Sequence, residues 1–416
     1  MEDGSMKLGL RPNLTQFTIL AINNAFVGSM VGIERTVVPV LGKQTFHLNA
    51  LSILLAFIVS FGLVKGPLNL LAGRLADKWG RKPILLLGWI LGVPVPLMIM
   101  FAPSWGWIIA ANLLLGANQG FAWSMTVTSK IDLVGPIRRG LALGINEFSG
   151  YMGVAIMSGV GGYLAYVYGP RPVPFLVAEV IAVTGFVAAW LLIRETIHYT
   201  RLEMSTAPRQ VPQQVPQAKM GLGQVIALVS FKDLTLLASS QAGLVNKLSD
   251  TAVWGLVPIM MAQRHYSIAQ IGLVSSLYAA TWGVLQLLSG TWSDKVGRKT
   301  PIVLGQILNA VGVGAILLTH SFAMWVTSAV LMGIGTALVY PVLLSAVGDE
   351  AHPAWRGAAL GVYRMWRDGG YAVGGILIGF GVDWFGTNPT IGALAVIVFA
   401  SGLFVLFVMK ETLKLP

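Results

Sequence analysis

Cysteine is absent from the chain and charge is scarce: Asp, Glu, Lys and Arg make up 11% of the residues, against about 25% in an ordinary soluble domain. Without cysteine there is no disulfide scaffold and no thiolate metal site, and the five histidines are scattered rather than set at metal-ligand spacing. Neither a glycine-rich phosphate loop nor a nucleophile elbow occurs, so direct ATP drive and enzymatic catalysis are not expected and no cofactor is implied. What fills the chain instead is apolar: 55% of it is hydrophobic, in long runs broken by short polar segments. A bilayer core about 30 Å thick is crossed by roughly 20 apolar helical residues, so these runs read as spans. The formal charge of +11 does not point to nucleic acid, because the basic residues sit in short connections, where the positive-inside rule places them. The expected partners are the lipid bilayer, a small-molecule substrate and protons, with a monomer as the working unit.

Hydropathy places helices near Phe17 to Leu41, Ala50 to Leu71, Ile84 to Phe101, Trp107 to Thr128, Gly140 to Tyr166 and Val173 to Leu192. Six more follow near Leu234 to Met261, Ile268 to Leu288, Ile302 to Leu318, Met324 to Leu344, Gly357 to Phe380 and Ile391 to Met409. The first run begins after the polar stretch Met1 to Gln16 and is too long for a cleavable signal, so it is expected to stay as a span. Alternate connections hold Arg74, Lys78, Arg81 and Lys82, then Lys130, Arg138 and Arg139, then Lys295, Arg298 and Lys299, whereas the intervening ones hold only Lys43, Arg171 and Arg264. Both termini are therefore expected on the cytoplasmic side of an inner or plasma membrane.

An internal repeat organises the chain. Gly73-Arg-Leu-Ala-Asp-Lys-Trp-Gly-Arg-Lys82 recurs as Gly290-Thr-Trp-Ser-Asp-Lys-Val-Gly-Arg-Lys299, 217 residues later (77 to 294). The same offset matches Gly116 to Gly333, Asp132 to Asp349, Arg139 to Arg356, Gly144 to Gly361 and Gly169 to Gly386, and Arg194-Glu-Thr matches Lys410-Glu-Thr within one residue of it. The expected fold is an all-α polytopic membrane protein of about twelve transmembrane helices, in two six-helix halves related by pseudo-two-fold symmetry. The first half covers residues 1–195 and the second residues 223–416, with a polar cytoplasmic linker over 196–222 that carries Val-Pro-Gln-Gln-Val-Pro-Gln. Six spans per half put both repeats in the same orientation, around an axis along the membrane normal.

The segment Gly73 to Pro83 resembles the signature loop of the major facilitator superfamily, Gly-x-Leu-Ala-Asp-x-x-Gly-Arg-Lys, and its weaker copy lies where that family keeps one. The resemblance covers the whole chain and implies alternating-access secondary transport, with a gating motif on Gly73, Asp77, Gly80, Arg81 and Lys82 and, in the second half, Asp294 and Arg298. In that family the loop Asp and Arg help hold the cytoplasmic side closed. The fuller first motif leads to the expectation that Asp77→Asn impairs transport far more than Asp294→Asn. Two departures weaken a drug/proton antiporter reading: Asn112 stands where such antiporters carry Arg, four residues before Gly116, and Met157-Ser-Gly-Val-Gly-Gly162 replaces Gly-Pro-x-x-Gly-Gly.

Ionisable residues at membrane depth each cost at least about 2.5 to 3.5 kcal/mol on insertion scales and face a partner or an aqueous cavity. Glu34, Arg35, Lys65, Glu147, Lys247, Asp250, Arg364, Arg367 and Asp368 all fall inside spans. Helical spacing allows Lys247 to pair with Asp250 and Arg364 with Asp368. The resemblance implies a cavity lined by the first, fourth, seventh and tenth helices, which adds Asn23, Asn24, Gln119 and Tyr340 as substrate candidates, with Trp123, Trp254 and Trp366 as aromatic walls. Glu147 and Arg364 occupy equivalent repeat positions with opposite charge and are expected to be coupled. Asp250, with Lys247 one turn away, is the expected coupling acid. Glycine clusters at Gly150, Gly153, Gly159, Gly161 and Gly162, and at Gly369, Gly370, Gly374 and Gly375, predict close helix packing. The leading function is proton-coupled secondary transport of a small polar or charged solute. Amphipathic drug efflux by proton antiport and a non-transporting sensor or scaffold are the alternatives.

Overall fold

A computed structural model describes residues 7–135, 139–206, 220–318, 321–352 and 355–413. The described residues form helices and no strand, as a lipid environment requires, since a helix satisfies its backbone hydrogen bonds internally. The long segments are α1 (Leu14–Gln44), α2 (Ala56–Trp79, after the turn Leu51–Leu54), α3 (Arg81–Met100), α4 (105–134), α5 (Arg139–Tyr168), α6 (Val173–Leu192), α7 (Leu234–Gln263), α8 (Ile268–Val296), α9 (Lys299–Leu318), α10 (Phe322–Glu350), α11 (Arg356–Phe385) and α12 (Thr387–Val408). Nine of these are long and apolar enough to cross a membrane, and α7 makes a tenth when joined to the short helix Leu222–Lys232, bent from it by 82°. Of the two others, α4 is interrupted by a π-turn at Gln119–Trp123, and α11 carries Arg356, Arg364, Arg367, Asp368 and Asp383.

Each half packs its helices around small residues. Gly28 faces the backbone of Gly150, Gly153 faces Ala25, and Gly305 faces Gly335. Large apolar side chains such as Trp190, Leu191 and Phe407 point outward, where lipid replaces water as the solvent. The halves meet along two pairings that are equivalent under the repeat, α2 against α11 and α5 against α8. Gly162 and Gly272 touch in one, and Gly375 packs on Val59 in the other, so the predicted glycine clusters do serve close approach.

One expectation changes. The motif is mostly not a loop: Gly73 to Trp79 form the last turns of α2, and Gly290 to Val296 those of α8. The chain turns only at Gly80 (φ +98°) and Gly297 (φ +92°), where a left-handed backbone favours glycine. The linker segment begins with the helix Ile197–Thr206, held by Thr200 and Tyr199 to Asp132 and Asn13. Its Val-Pro-Gln-Gln-Val-Pro-Gln run lies outside the described residues.

Candidate functional site

On the face where α1 begins and α12 ends, each half closes a clasp. Arg81 donates to Asp77 (2.9 Å), the Ala76 carbonyl (3.0 Å) and Asp132 at the end of α4 (3.0 Å). Glu195, just beyond α6, accepts the backbone N–H groups of Arg81 (2.9 Å) and Lys82 (3.1 Å) at the start of α3. The copy repeats this: Arg298 reaches Asp294 (2.6 Å) and Asp349 (2.9 Å), and Glu411 accepts from Arg298 (2.7 Å) and Lys299 (3.1 Å). A carboxylate at a helix N-terminus meets unpaired N–H groups and the positive end of the dipole. Burial pushes the Glu195 and Glu411 carboxyls up, but these donors together with the N–H groups of Ile197 and Leu413 outweigh it and hold both below the ordinary carboxylate range. All these ties lie within one half. Gly80 makes the turn between α2 and α3, Gly73 lies within the last turns of α2, and Lys82 in the first turn of α3 donates to the Trp190 carbonyl (2.8 Å). The ties of the motif therefore stay within each half, and the links between halves lie elsewhere.

Those links run along the α2–α11 and α5–α10 contacts. At the opposite face, Asp383 of α11 accepts the N–H groups of Leu51 (2.7 Å) and Ser52 (2.9 Å), capping the helical turn that precedes α2. At mid-depth Lys65 lies 4.0 Å from Asp368 of α11, and Asn69 donates to the same carboxylate. Glu147 accepts from Trp123 of α4 (2.8 Å) and from Tyr340 of α10 (3.0 Å), bridging the halves. Around these groups the inter-half space narrows to two small cavities, of about 20 and 10 Å³, that share Lys65 and Trp123. One is walled by Arg35, Phe61, Gln119, Tyr151, Trp254 and Tyr371, and the other by Asn69, Glu147, Tyr340, Arg364 and Arg367. Gln119 and Trp123 sit in the π-turn of α4, and Trp254 in one at Ala252–Leu256 of α7. Such turns swing side chains off the regular helical positions and recur at functional sites.

The remaining acids stand behind the walls. Asp368 is held by its neighbour Arg367 through two hydrogen bonds (2.8 and 2.9 Å), which replaces the expected pairing with Arg364. Arg364 makes no ion pair among the described residues, although it shares the smaller cavity with Glu147. Asp250 takes Lys247 (2.6 Å), as its spacing predicts, and also Tyr278 and Tyr371 (3.3 Å). The ammonium of Lys247 lies 3.9 Å from the Trp282 ring centroid. Glu34 is buried 3.2 Å from one Arg35 nitrogen.

Asn23, Asn24 and Trp366 also line neither cavity. Asn23 binds the Gly185 carbonyl (2.8 Å) and Trp89 (3.0 Å), and Asn24 binds the Asn146 carbonyl (2.7 Å) and Thr126 (2.9 Å), so both knit the first half together instead of lining the cavity. Trp366 turns to Ser230 (2.8 Å), outside both cavities. Polar residues on a cavity helix look alike in sequence whether they face the path or a neighbour. Conversely, Asn69, Tyr151 and Tyr371 were missed, since aromatics and a lone Asn inside apolar runs carry no positional signal. Asp132, Asp349, Glu195 and Glu411 did carry one, in the matched repeat positions.

The sequence model of the Major Facilitator Superfamily matches residues 18–238 and 240–415. A transporter of this type from Salmonella typhimurium is 23% identical over 398 residues, covering 91% of this chain and 92% of its own. Multidrug resistance protein MdtG of Proteus mirabilis is 23% identical (79% of this chain, 78% of that protein), and the class G tetracycline resistance protein of Vibrio anguillarum 23% identical (68% and 70%). Among solved structures, a POT family transporter superposes with a TM-score of 0.72 at 13% identity, covering 94% of this chain and 95% of that one. The nucleoside transporter NupG superposes with 0.71 at 15% identity, covering 95% and 100%. With two repeated helical halves, a clasp in each and a charged interface between them, the chain belongs to the Major Facilitator Superfamily.

Proposed function

We propose that the protein moves a small polar or charged solute across an inner or plasma membrane by alternating access, with its termini cytoplasmic and with Glu147 carrying the coupling proton. The observation that supports this is the bridge from Trp123 in the first half through Glu147 to Tyr340 in the second, made without an ion-pair partner among the described residues. An ionised carboxylate accepts from both donors in charge-assisted hydrogen bonds; protonation removes that charge and leaves two neutral bonds, each about half as strong. Proton binding then loosens the tie between halves that the clasps keep rigid, and the cavity can widen. Asp250 suits this role less well, because Lys247 neutralises it within its own helix. The test is accumulation of labelled organic ions in proteoliposomes under an imposed pH gradient. Glu147→Gln should abolish gradient-driven accumulation and retain exchange, while the Asp250→Asn variant still responds to the gradient. Normal gradient-driven uptake by the Glu147→Gln variant would reject the assignment.

A second reading, extrusion of amphipathic compounds, is supported by the names of the resistance proteins to which the chain is similar and by the aromatic cavity walls. Its check is drug susceptibility of cells with and without the protein. A sensor or scaffold would show no flux in the same vesicles.

A further inference from the structure

The two central cavities differ from the surrounding protein in the sign of what faces them. Four basic side chains line them, Arg35, Lys65, Arg364 and Arg367, and one acid, Glu147. Glu34, Asp250 and Asp368 line neither cavity, and Glu34 and Asp368 are spent on side chains that do. Of the bases, Arg367 gives two of its three nitrogens to Asp368, and Lys65 reaches that same carboxylate only at 4.0 Å.

Arg35 is the decisive residue. It is 1% exposed, and both of its terminal nitrogens lack a hydrogen-bond acceptor among the described residues. Glu34 approaches one of them at 3.2 Å but does not take a hydrogen bond. The guanidinium lies 4.4 Å from the Phe61 ring centroid, and the Lys65 ammonium lies over the same ring at 5.3 Å. Both cations also stand 6.0 Å from the Tyr371 centroid. A buried fork of N–H donors is costly to leave unmatched, and its geometry fits a planar carboxylate. The adjoining walls, Trp123 and Tyr151, are rings that stack on a flat apolar body.

We infer that the central site takes an organic anion, a carboxylate carried on an aromatic or similarly flat body, with the anionic group between Arg35 and Lys65. This deepens the transport reading and rests on it for the site's role. At about 20 Å³ the larger cavity has room for roughly one water molecule, so the solute enters only as the halves part. It then replaces the missing acceptor at Arg35 and draws Lys65 from its long contact with Asp368. An amphipathic cation meets the opposite field there.

The test is equilibrium binding to the purified full-length chain in detergent, read by tryptophan fluorescence and by thermal stability, with benzoate, benzamide and benzylammonium as a matched set. Benzoate should bind and stabilise, and its neutral and cationic analogues should not. Arg35→Gln should weaken benzoate at least about 30-fold, the loss for one partner of a buried charge pair. Lys65→Gln, at a position more exposed than Arg35 (side chain 13% exposed), should weaken it as well. Benzylammonium binding in preference to benzoate would overturn the inference, as would unchanged benzoate affinity in both variants. Binding is read without transport: benzoate binding with no flux in vesicles would sink the transport reading and leave the substrate class standing, whereas gradient-driven flux of the cation alone would do the reverse.

Discussion

At Arg81 and at Arg298 the guanidinium holds the same two carboxylates in the same geometry, but the acids live in different surroundings. The Asp132 side chain is 8% exposed and also accepts Thr196 (3.0 Å) and Thr200 (3.0 Å), whereas that of Asp349 is 31% exposed. Thr412, the counterpart of Thr196, has a buried hydroxyl without a hydrogen-bond partner among the described residues. Duplication thus preserved the covalent pattern and the ion pairs, while the burial around them diverged. The energetic weight of a motif follows from the dielectric and the secondary donors around it more than from how completely its letters are kept.

The sharpest way to break this comparison is to remove the two arginines. Arg81→Gln leaves Asp132 buried and uncompensated and should cost about 3 to 5 kcal/mol; Arg298→Gln should cost less, because water screens Asp349. Thermal unfolding of the two variants in detergent should separate them in that order, and equal losses would refute the difference in surroundings.

The next effect is one the clasps share. Glu195 and Glu411 have carboxyls held below their ordinary range in the folded protein, so each adds stability above the unfolded-chain value near 4.5 and loses it as pH falls through the folded value. Wild-type stability should therefore drop on acidification below about pH 5, and Glu195→Gln or Glu411→Gln should each flatten that drop. A pH profile of the unfolding midpoint that is unaltered in both variants would contradict the capping role.

Thr196→Val should cost about 1 kcal/mol by stripping Asp132 of a donor, and Thr412→Val should be neutral or mildly stabilising, since it removes a buried hydroxyl that makes no bond. Smallest of all are the motif acids. Asp77 and Asp294 are 74% and 61% exposed, so Asn at either should change stability by no more than about 1 kcal/mol. Flux measured at equal membrane abundance then tests the expectation that Asp77 far outweighs Asp294, an asymmetry that the geometry transfers to Asp132 and Asp349.

Spans, repeat and family were legible because each depends on local composition. A helix in lipid must satisfy its own backbone and present apolar side chains, so hydropathy marks it wherever it packs, and a duplicated half shows as matched letters. The Lys247 and Asp250 pair was legible for the same reason, being one turn apart on one helix. The bridge from Glu147 to Tyr340, the hold of Asn69 and Lys65 on Asp368, and the turning of Asn23 and Asn24 into their own half were decided by tertiary structure alone. These contacts join residues far apart in the chain, and which side of a helix faces the path depends on its rotation. One residue of drift turns a helix by about 100°, and the π-turns in α4 and α7 add such drift at the depth where the cavity lies. The sequence determined that charges would be buried between two halves; helix rotation decided that Arg35, Lys65, Arg364, Arg367 and Glu147 line the cavities while Glu34, Lys247, Asp250 and Asp368 do not.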